Sequence, residues 1–384
     1  MKNDLVLFDE LLSEEEKMVR ETVKKFVKEK VRPIIDQYHR ESKFPNHLIK
    51  EIAELGLLGA YLKGYECAGI NNIAYGLALQ ELEYGDSALR SFCSVQSSLV
   101  MWPIMEYGSE EQKRYWLPRL AKGEAIGCYG LTEPDYGSDP GSMITRAQED
   151  GTHWVLNGRK MWITNGSVAD VALVWAKTTQ GIKGFLVEKG TPGFTTQEIK
   201  GKFSLRASVT SELIFEDCRI PKNNILPKAK GLKAPLKCLS QARYGIGWGA
   251  LGAALACYQS SLEYAKTRIQ FGKPIASFQL IQNKLVWMIN EIIKGQLLAL
   301  RTGRLKDEGR ASYVLISLLK RNNVEIALEI ARMSRDILGA SGITDEYPVI
   351  RHMMNLESVK TYEGTHDIHT LIIGQALTGI EAFR

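Results

Sequence analysis

The six cysteines of this 384-residue chain (Cys67, Cys93, Cys128, Cys218, Cys238 and Cys257) lie far apart, and no CxxC pair occurs. That spacing excludes a zinc ribbon and a disulfide framework, and points to unpaired thiols in a reducing compartment. A chain of this length buries roughly 75% of its unfolded surface, so it needs neither staple. Blocks of one charge are also missing: 49 Lys and Arg and 44 Asp and Glu are interspersed, leaving a net +5. A nucleic-acid groove would need clustered Lys and Arg with stacking aromatics, whereas a mild basic excess suits an anionic small ligand. The least polar stretch, 244–258, is too short and too glycine-rich to span a bilayer, so membrane insertion is not expected. The opening MKNDLVLFDELLSEEEK has neither the apolar core of a signal peptide nor the arginines of a transit peptide. A cytoplasmic location is expected, or a mitochondrial matrix one after loss of a transit peptide. No internal repeat or low-complexity segment is visible.

What is present is a globular composition, 45% apolar and 24% charged. Ser13 and Glu16 have the spacing of a capping box, and Met18, Val19, Val23, Phe26, Val27 and Val31 follow at helical spacing before Pro33. Similar patterns predict helices over 48–58, 73–84 and 110–121. From about 126 to 226 the chain changes to short β-rich runs (HWVLNG, ADVALVWAK, KGFLVEKG, SELIFEDCRIP) separated by Gly, Asn, Asp and Pro. Amphipathic helices return over 258–268, 278–305 and 313–338, broken at FGKP and GASG. The reading is α+β: a helical domain at 1–125, a middle antiparallel β domain at 126–230 and a helical domain at 231–384.

Two strings invite over-reading. Gly247, Gly249 and Gly252 satisfy GxGxxG, but no β-run precedes them and a helix pattern follows. Small residues that let two helices approach closely account for them better. His366 and His369 could share a metal at i, i+3 spacing, yet no further ligand clusters with them, so no metal site is expected. Three other strings carry chemistry. GLTEPDYGSDPGSM (130–143) places Thr132, Ser138 and backbone N–H groups in a glycine-interrupted loop able to serve a heterocycle or phosphate. In KMWITNG (160–166), Trp162 and Thr164 fall on one face of a strand, as a flavin wall or a sheet-core pair. In TYEGTHDIH (361–369), the lone carboxylate Glu363 sits between an aromatic and a glycine, where it could project from a helix break into a pocket.

These strings, with RIQFGKP (268–274) and the run from Asp336 through GASGITDE to Arg351 and Asn355, closely resemble the acyl-CoA dehydrogenase family over essentially the whole chain. Two positions depart: Tyr136 stands where a small residue is usual, and Ala340 where Gly or Ser is usual. The resemblance implies an N-terminal helical domain, a β domain and a C-terminal four-helix bundle, with FAD as cofactor. It implies that Tyr129, Gly130, Leu131, Thr132, Ser138, Trp162, Ile163 and Thr164 surround the isoalloxazine. Arg268, Gln279, Asp336, Gly339, Ala340, Thr365 and Asp367 would hold the ADP part, some from a neighbouring subunit of a homotetramer. Arg243 and Ser138 would lie on the CoA side, and Glu363, followed by Gly364, would take the α-proton. Electrons would leave to an electron-transfer flavoprotein.

Within the family, DSALRSFCSVQSSLVM (86–101), GKFSLRAS (201–208), ARYGIGWG (242–249) and SVKTYEGTHDIH (358–369) look like the branch that acts on glutaryl-CoA. Arg90 lies in an otherwise uncharged stretch rich in serine. A buried guanidinium there needs a carboxylate, either its own structural partner or a ligand's. The resemblance implies the ligand's, shared with Glu83, Ser91, Thr164 and Tyr362, and a reaction releasing crotonyl-CoA and CO2. Rival readings are a non-decarboxylating relative, a dehydrogenase of short or branched monoacids, an acyl-CoA oxidase and a catalytically dead scaffold.

Overall fold

Residues 4–383 are described by a computed structural model. At its start, the Ser13 hydroxyl accepts the Glu16 N–H at 3.3 Å and the Glu16 carboxylate accepts the Ser13 N–H at 2.8 Å, which starts α1 (Glu14–Phe26). Val23, Phe26, Val27 and Val31 are buried, but Met18 is 64% exposed. Position 18 lies roughly 200° around the helix from Glu16, and the buried face runs through Glu16 instead. That carboxylate is held by Asn71, which caps the start of another helix, and by Arg304 from within a third.

The N-terminal region continues with α2 (Ile35–Glu41), α3 (Leu48–Glu54), a small hairpin of β1 (Lys63–Gly64) and β2 (Cys67–Ala68), α4 (Asn72–Gly85), α5 (Ser87–Ser94), α6 (Trp102–Tyr107) and α7 (Glu110–Ala121). α3 is shorter than expected because Gly56 takes φ +70° and turns the chain. Seven strands then form one sheet: β3 (Gly127–Gly130), β4 (Arg146–Asp150), β5 (His153–Thr164), β6 (Val171–Thr178), β7 (Gly181–Glu188), β8 (Phe194–Glu198) and β9 (Thr210–Pro221). The order is β3-β6-β4-β5-β9-β8, with β7 on β6. Most pairs are antiparallel, but β3 runs parallel to β6, and β4 meets β6 in parallel at one position. The long segment between β3 and β6 allows the crossover that parallel pairing requires.

The C-terminal region comprises α8 (Lys233–Thr267), the hairpin β10 (Ile269–Gln270) and β11 (Lys273–Pro274), α9 (Gln279–Asp307), α10 (Tyr313–Leu338), α11 (Val349–Thr361) and α12 (His366–Thr378). The helix expected over 258–268 is the end of the 35-residue α8. Its glycines are contact points rather than a dinucleotide loop. A Cβ at Gly252 would lie 1.9 Å from the Gln80 carbonyl, and one at Gly247 would lie 2.5 Å from Leu319. α4 therefore packs directly on α8 backbone, which brings residues of the N-terminal region against the C-terminal bundle. All six cysteines are free, and no helix among the described residues is long and apolar enough to cross a membrane.

Candidate active site

The break between α11 and α12 carries Glu363. Tyr362 is extended, then Glu363 (φ +52°) and Gly364 (φ +92°) are both left-handed before Thr365 caps α12 by accepting the Ile368 N–H at 3.2 Å. A left-handed glutamate is unfavourable by about 1–2 kcal/mol, so the turn must be held by its surroundings. It is held by two buried cations. Arg243 Nε donates to the Glu363 carbonyl at 2.7 Å, while Lys320 Nζ donates to the Gly364 carbonyl at 2.6 Å and to that of Tyr362. Gly364 is required because a Cβ there would press within 3.0 Å of Arg243 Nη2 and His369 Nε2. The carboxylate itself is left with Oε2 buried and without a hydrogen-bond partner. Burial raises its pKa above the ordinary glutamate value, against the opposing pull of Lys320, Arg90 and Arg243. A buried, unpartnered carboxylate of raised basicity is suited to taking a proton from a weak carbon acid.

Next to it lies a second charged group. Arg90, on α5, is fully buried, and its Nε donates to Glu83 Oε2 at 2.6 Å. Ser87 Oγ donates to the other Glu83 oxygen at 2.8 Å, and Arg90 Nη2 donates to the Tyr362 hydroxyl. Of the two partners the sequence allows for Arg90, the structural one is therefore present: it is Glu83. Although burial disfavours the guanidinium charge, Glu83 and Tyr362 hold its pKa well above the usual value. The pair fits only because residue 249 is glycine, since a Cβ there would stand 2.1 Å from Glu83 Oε2. Ser91 is buried one residue further along α5. Asp86 caps α5 through the Ala88 N–H at 2.8 Å and also binds Arg351 and Asn355 of α11, which fixes the helix bearing Arg90 against the helix leading to Glu363.

The third group is the glycine-interrupted loop after β3. Lys160 is fully buried behind it, donating to the Leu131 carbonyl at 3.1 Å and to Glu133 Oε1 at 2.9 Å. Glu133 also accepts the N–H groups of Ile144 (2.7 Å) and Thr145 (2.9 Å), and Met161 N–H bonds to the Thr132 carbonyl at 2.8 Å. Burial lowers the Lys160 pKa to about 8 despite Glu133. Tyr136 closes the loop by exchanging backbone hydrogen bonds with Glu133. Beside it, a bulge in β5 gives Trp162 φ +63° and leaves it 61% exposed, followed along the strand by buried Ile163 and half-buried Thr164. A strained backbone that displays an indole next to hydroxyls and a glycine loop fits a planar heterocycle. Tyr129 and Gly130 are buried at the end of β3, with the Tyr129 hydroxyl on the Pro235 carbonyl at 3.1 Å. Ser138 is exposed on the loop.

The structure thus brings Glu83, Arg90, Tyr362, Glu363, Gly364 and Arg243 into one cluster. Arg268, Gln279, Asp336, Gly339 and Ala340 are exposed elsewhere on the C-terminal region, and among the described residues no hydrogen bond joins them to the Glu363 turn. Asp367 is exposed on the first turn of α12. Sequence reasoning missed Lys320 and set His369 aside with a rejected metal pair. His369 is buried against Gly364 with neither ring nitrogen hydrogen-bonded, and burial, with Lys320 and Arg243, lowers its pKa to about 2. Lys320 had a signal: it falls on the buried stripe of α10 with Ile316, Asn323, Val324 and Ala327, where a solvated lysine does not belong.

The three regions match three domain families in the same order. Residues 13–124 match "Acyl-CoA dehydrogenase, N-terminal domain", 128–218 the middle domain and 229–378 the C-terminal domain. The chain belongs to the acyl-CoA dehydrogenase family. Among relatives of this dehydrogenase, the mitochondrial short-chain specific acyl-CoA dehydrogenase of Rattus norvegicus is 38% identical over 369 residues, covering 94% of this chain and 90% of that protein. The crystal structure of glutaryl-CoA dehydrogenase from Mycobacterium smegmatis matches with TM-score 0.98 and 57% identity, covering 100% of this chain and 99% of that one. A glutaryl-CoA dehydrogenase from the same organism in complex with FADH2 matches with TM-score 0.98 and 54% identity, covering 99% of each chain. This acyl-CoA dehydrogenase is accordingly an FAD-dependent oxidoreductase, in line with the resemblance read from its sequence.

Proposed function

We propose that this acyl-CoA dehydrogenase oxidises glutaryl-CoA and decarboxylates the product to crotonyl-CoA and CO2. The observation that carries the reading is the buried Glu83–Arg90–Tyr362 cluster adjoining the turn of Glu363. The loop 129–132, Ser138 and residues 162–164 would hold the flavin ring. Arg268, Gln279, Asp336, Gly339, Ala340, Thr365 and Asp367 would hold its ADP part. Bound there, FAD would supply the acceptor for the hydride that leaves Cβ of the substrate.

Glu363 takes the Cα proton, and the protein's fixed donors stabilise the charge that develops on the thioester oxygen, with the Glu363 N–H as the donor implied by the family. Arg243 and Ser138 lie on the CoA side. Arg90 receives the distal carboxylate, and because Glu83 already balances Arg90, the hydroxyls of Tyr362, Ser91 and Thr164 are needed to bind a second anion. The same sharing lets that carboxylate leave. Breaking the bond from the γ-carbon to the carboxyl carbon releases CO2, and its electron pair spreads through the new double bond to the thioester. Protonated Glu363 then returns its proton to the terminal carbon, giving crotonyl-CoA.

A second reading, a short-chain monoacid as substrate, draws on Arg90 already having Glu83 as a partner. Anaerobic mixing with glutaryl-CoA, followed by the flavin spectrum and by product mass, separates them. Flavin bleaching with crotonyl-CoA and CO2 is the expected result. Accumulation of glutaconyl-CoA without CO2 would remove decarboxylation, and bleaching by butyryl-CoA alone would replace glutaryl-CoA with a monoacid. The proposal further includes domain boundaries at 125/126 and 230/231, an electron-transfer flavoprotein as acceptor, and a homotetramer. Exposed Ile269, Phe271 (92%) and Leu280 (79%), beside the expected ADP residues Arg268 and Gln279, support the last of these.

A further inference from the structure

Glu363 is held in part by Lys320, a group that the sequence did not mark as functional. Three successive carbonyls, those of Tyr362, Glu363 and Gly364, accept hydrogen bonds from Lys320 and Arg243, two buried cations on two different helices. Among the described residues Lys320 makes no salt bridge, and its ammonium points only at this turn and at the Tyr362 ring, 5.7 Å from the centroid. A lysine ammonium is among the groups least often buried without a carboxylate, because desolvation disfavours it strongly. Its placement here needs a reason beyond packing.

We propose that Lys320 is a positioning residue: by clamping the carbonyls on either side of Glu363, its ammonium fixes the left-handed turn that aims the Glu363 carboxylate at the substrate α-carbon. The assignment rests on Glu363 being the base, and it goes beyond that reading by naming what holds the base in place. Geometry supports a clamp rather than a spectator. A single bond could leave the Tyr362–Glu363 and Glu363–Gly364 peptides free to rotate. The two Lys320 bonds hold the Tyr362–Glu363 and Gly364–Thr365 peptides, and Arg243 holds the Glu363–Gly364 peptide between them, so none of the three is free. Displacing a reacting group by about 1 Å costs on the order of 100-fold in rate.

The ammonium has an electrostatic consequence as well. Glu363 faces Lys320 of α10, Arg243 of α8, Arg90 of α5, Tyr129 of β3 and Tyr362 beside it, while neutral His369 of α12 packs against the turn. Burial lowers the Lys320 pKa well below the ordinary lysine value, with Glu363 as the group that pulls it back up, so the two charges support each other. Removing Lys320 takes that support away and makes ionisation of Glu363 harder.

The test uses Lys320→Met and Lys320→Gln holoenzymes, with anaerobic flavin reduction by both glutaryl-CoA and butyryl-CoA measured across pH. Lys320→Met is expected to slow reduction by about 100-fold while changing the acyl-CoA dissociation constant less than about threefold. It should also move the acid limb of the rate profile upward by about one pH unit. Lys320→Gln keeps a donor but no charge, so it should recover part of the rate and none of the acid-limb shift. Reduction within about threefold of wild type together with an unmoved acid limb in both variants would overturn the proposal. Failure of both variants to yield folded, yellow protein would also overturn it, in favour of a purely structural lysine. If the wild-type flavin is bleached by butyryl-CoA but not by glutaryl-CoA, the substrate reading fails while the butyryl-CoA series still tests Lys320.

Discussion

The cluster around Glu363 and the loop around Leu131 and Thr132 are both built on buried ion pairs, yet they use charge in opposite ways. Behind the loop, Lys160 and Glu133 neutralise each other and spend their remaining hydrogen bonds on backbone, namely the Leu131 carbonyl and the Ile144 and Thr145 N–H groups. The pair shapes a loop, and both of its side chains are buried. Around Glu363 the balance is left incomplete. Arg90 is matched by Glu83, but Lys320 and Arg243 are occupied with carbonyls, and the Glu363 carboxylate keeps a buried oxygen with no partner. Charge that only has to shape backbone can be paired off, whereas charge that must act on a substrate has to remain available. A buried group of the second kind is held in place at a cost to stability.

The comparison can be broken most sharply at the base. Glu363→Gln should keep the yellow flavin and bind acyl-CoA, yet reduce flavin roughly 10²–10⁴-fold more slowly in stopped-flow experiments. Near-normal bleaching would move the base elsewhere. The next largest effect is expected at Arg90. Breaking a buried pair at one end costs about 3–5 kcal/mol, so Arg90→Ala should lose kcat/KM for glutaryl-CoA on the order of 100-fold or more, with butyryl-CoA suffering far less. Because this variant also strands Glu83, the double variant with Glu83→Gln separates stability from selectivity. Equal losses on both substrates in that background would make Arg90 structural.

On the loop side, Lys160→Met should leave the ratio of the two substrates unchanged. It should instead lower the thermal midpoint by several degrees and loosen flavin retention, both readable from the melting of flavin fluorescence. A changed substrate ratio would erase the distinction between the two regions. A smaller effect is expected with pH. Glu363 has a folded-state pKa above that of an ordinary glutamate, with burial as the main cause, so it stays protonated at pH values where an exposed glutamate is ionised. Proton abstraction needs the ionised form. The rate should therefore fall about tenfold per pH unit below a midpoint lying above roughly 4.3, the ordinary glutamate value. A midpoint at or below that value would show that the carboxylate is solvated. The smallest change is expected from Tyr362→Phe. Losing a hydroxyl bonded to a charged group costs about 1.5–3 kcal/mol at most, and the part specific to the distal carboxylate should appear as a drop of roughly 10- to 100-fold for glutaryl-CoA relative to butyryl-CoA.

Local signals carried much of this protein. The capping box at Ser13, the β-rich runs after residue 126 and the amphipathic pattern over 313–338 each rest on neighbours within a few residues, and each appears where the pattern places it. Glu363 was legible for the same reason: an isolated carboxylate between an aromatic and a glycine marks a helix break, and a break is what forms. The sequence could not show the bulge that exposes Trp162, because the register of β5 on β9 depends on a strand some 50 residues away. Nor could it show the parallel pairing of β3 with β6, which is settled by how the sheet closes.

By itself, the sequence determined the order of helices and strands, the helix break at Glu363, the close-packing role of the glycines in α8 and the family to which these motifs belong. It left open whether Arg90 would meet a protein carboxylate or only a ligand's, and it gave Lys320 no role. Tertiary structure decided both, because α4, α5, α8, α10 and the turn after α11 converge from distant parts of the chain. Only that convergence seats Glu83 over the missing side chain of Gly249, beside Arg90, and brings two buried cations onto three consecutive carbonyls.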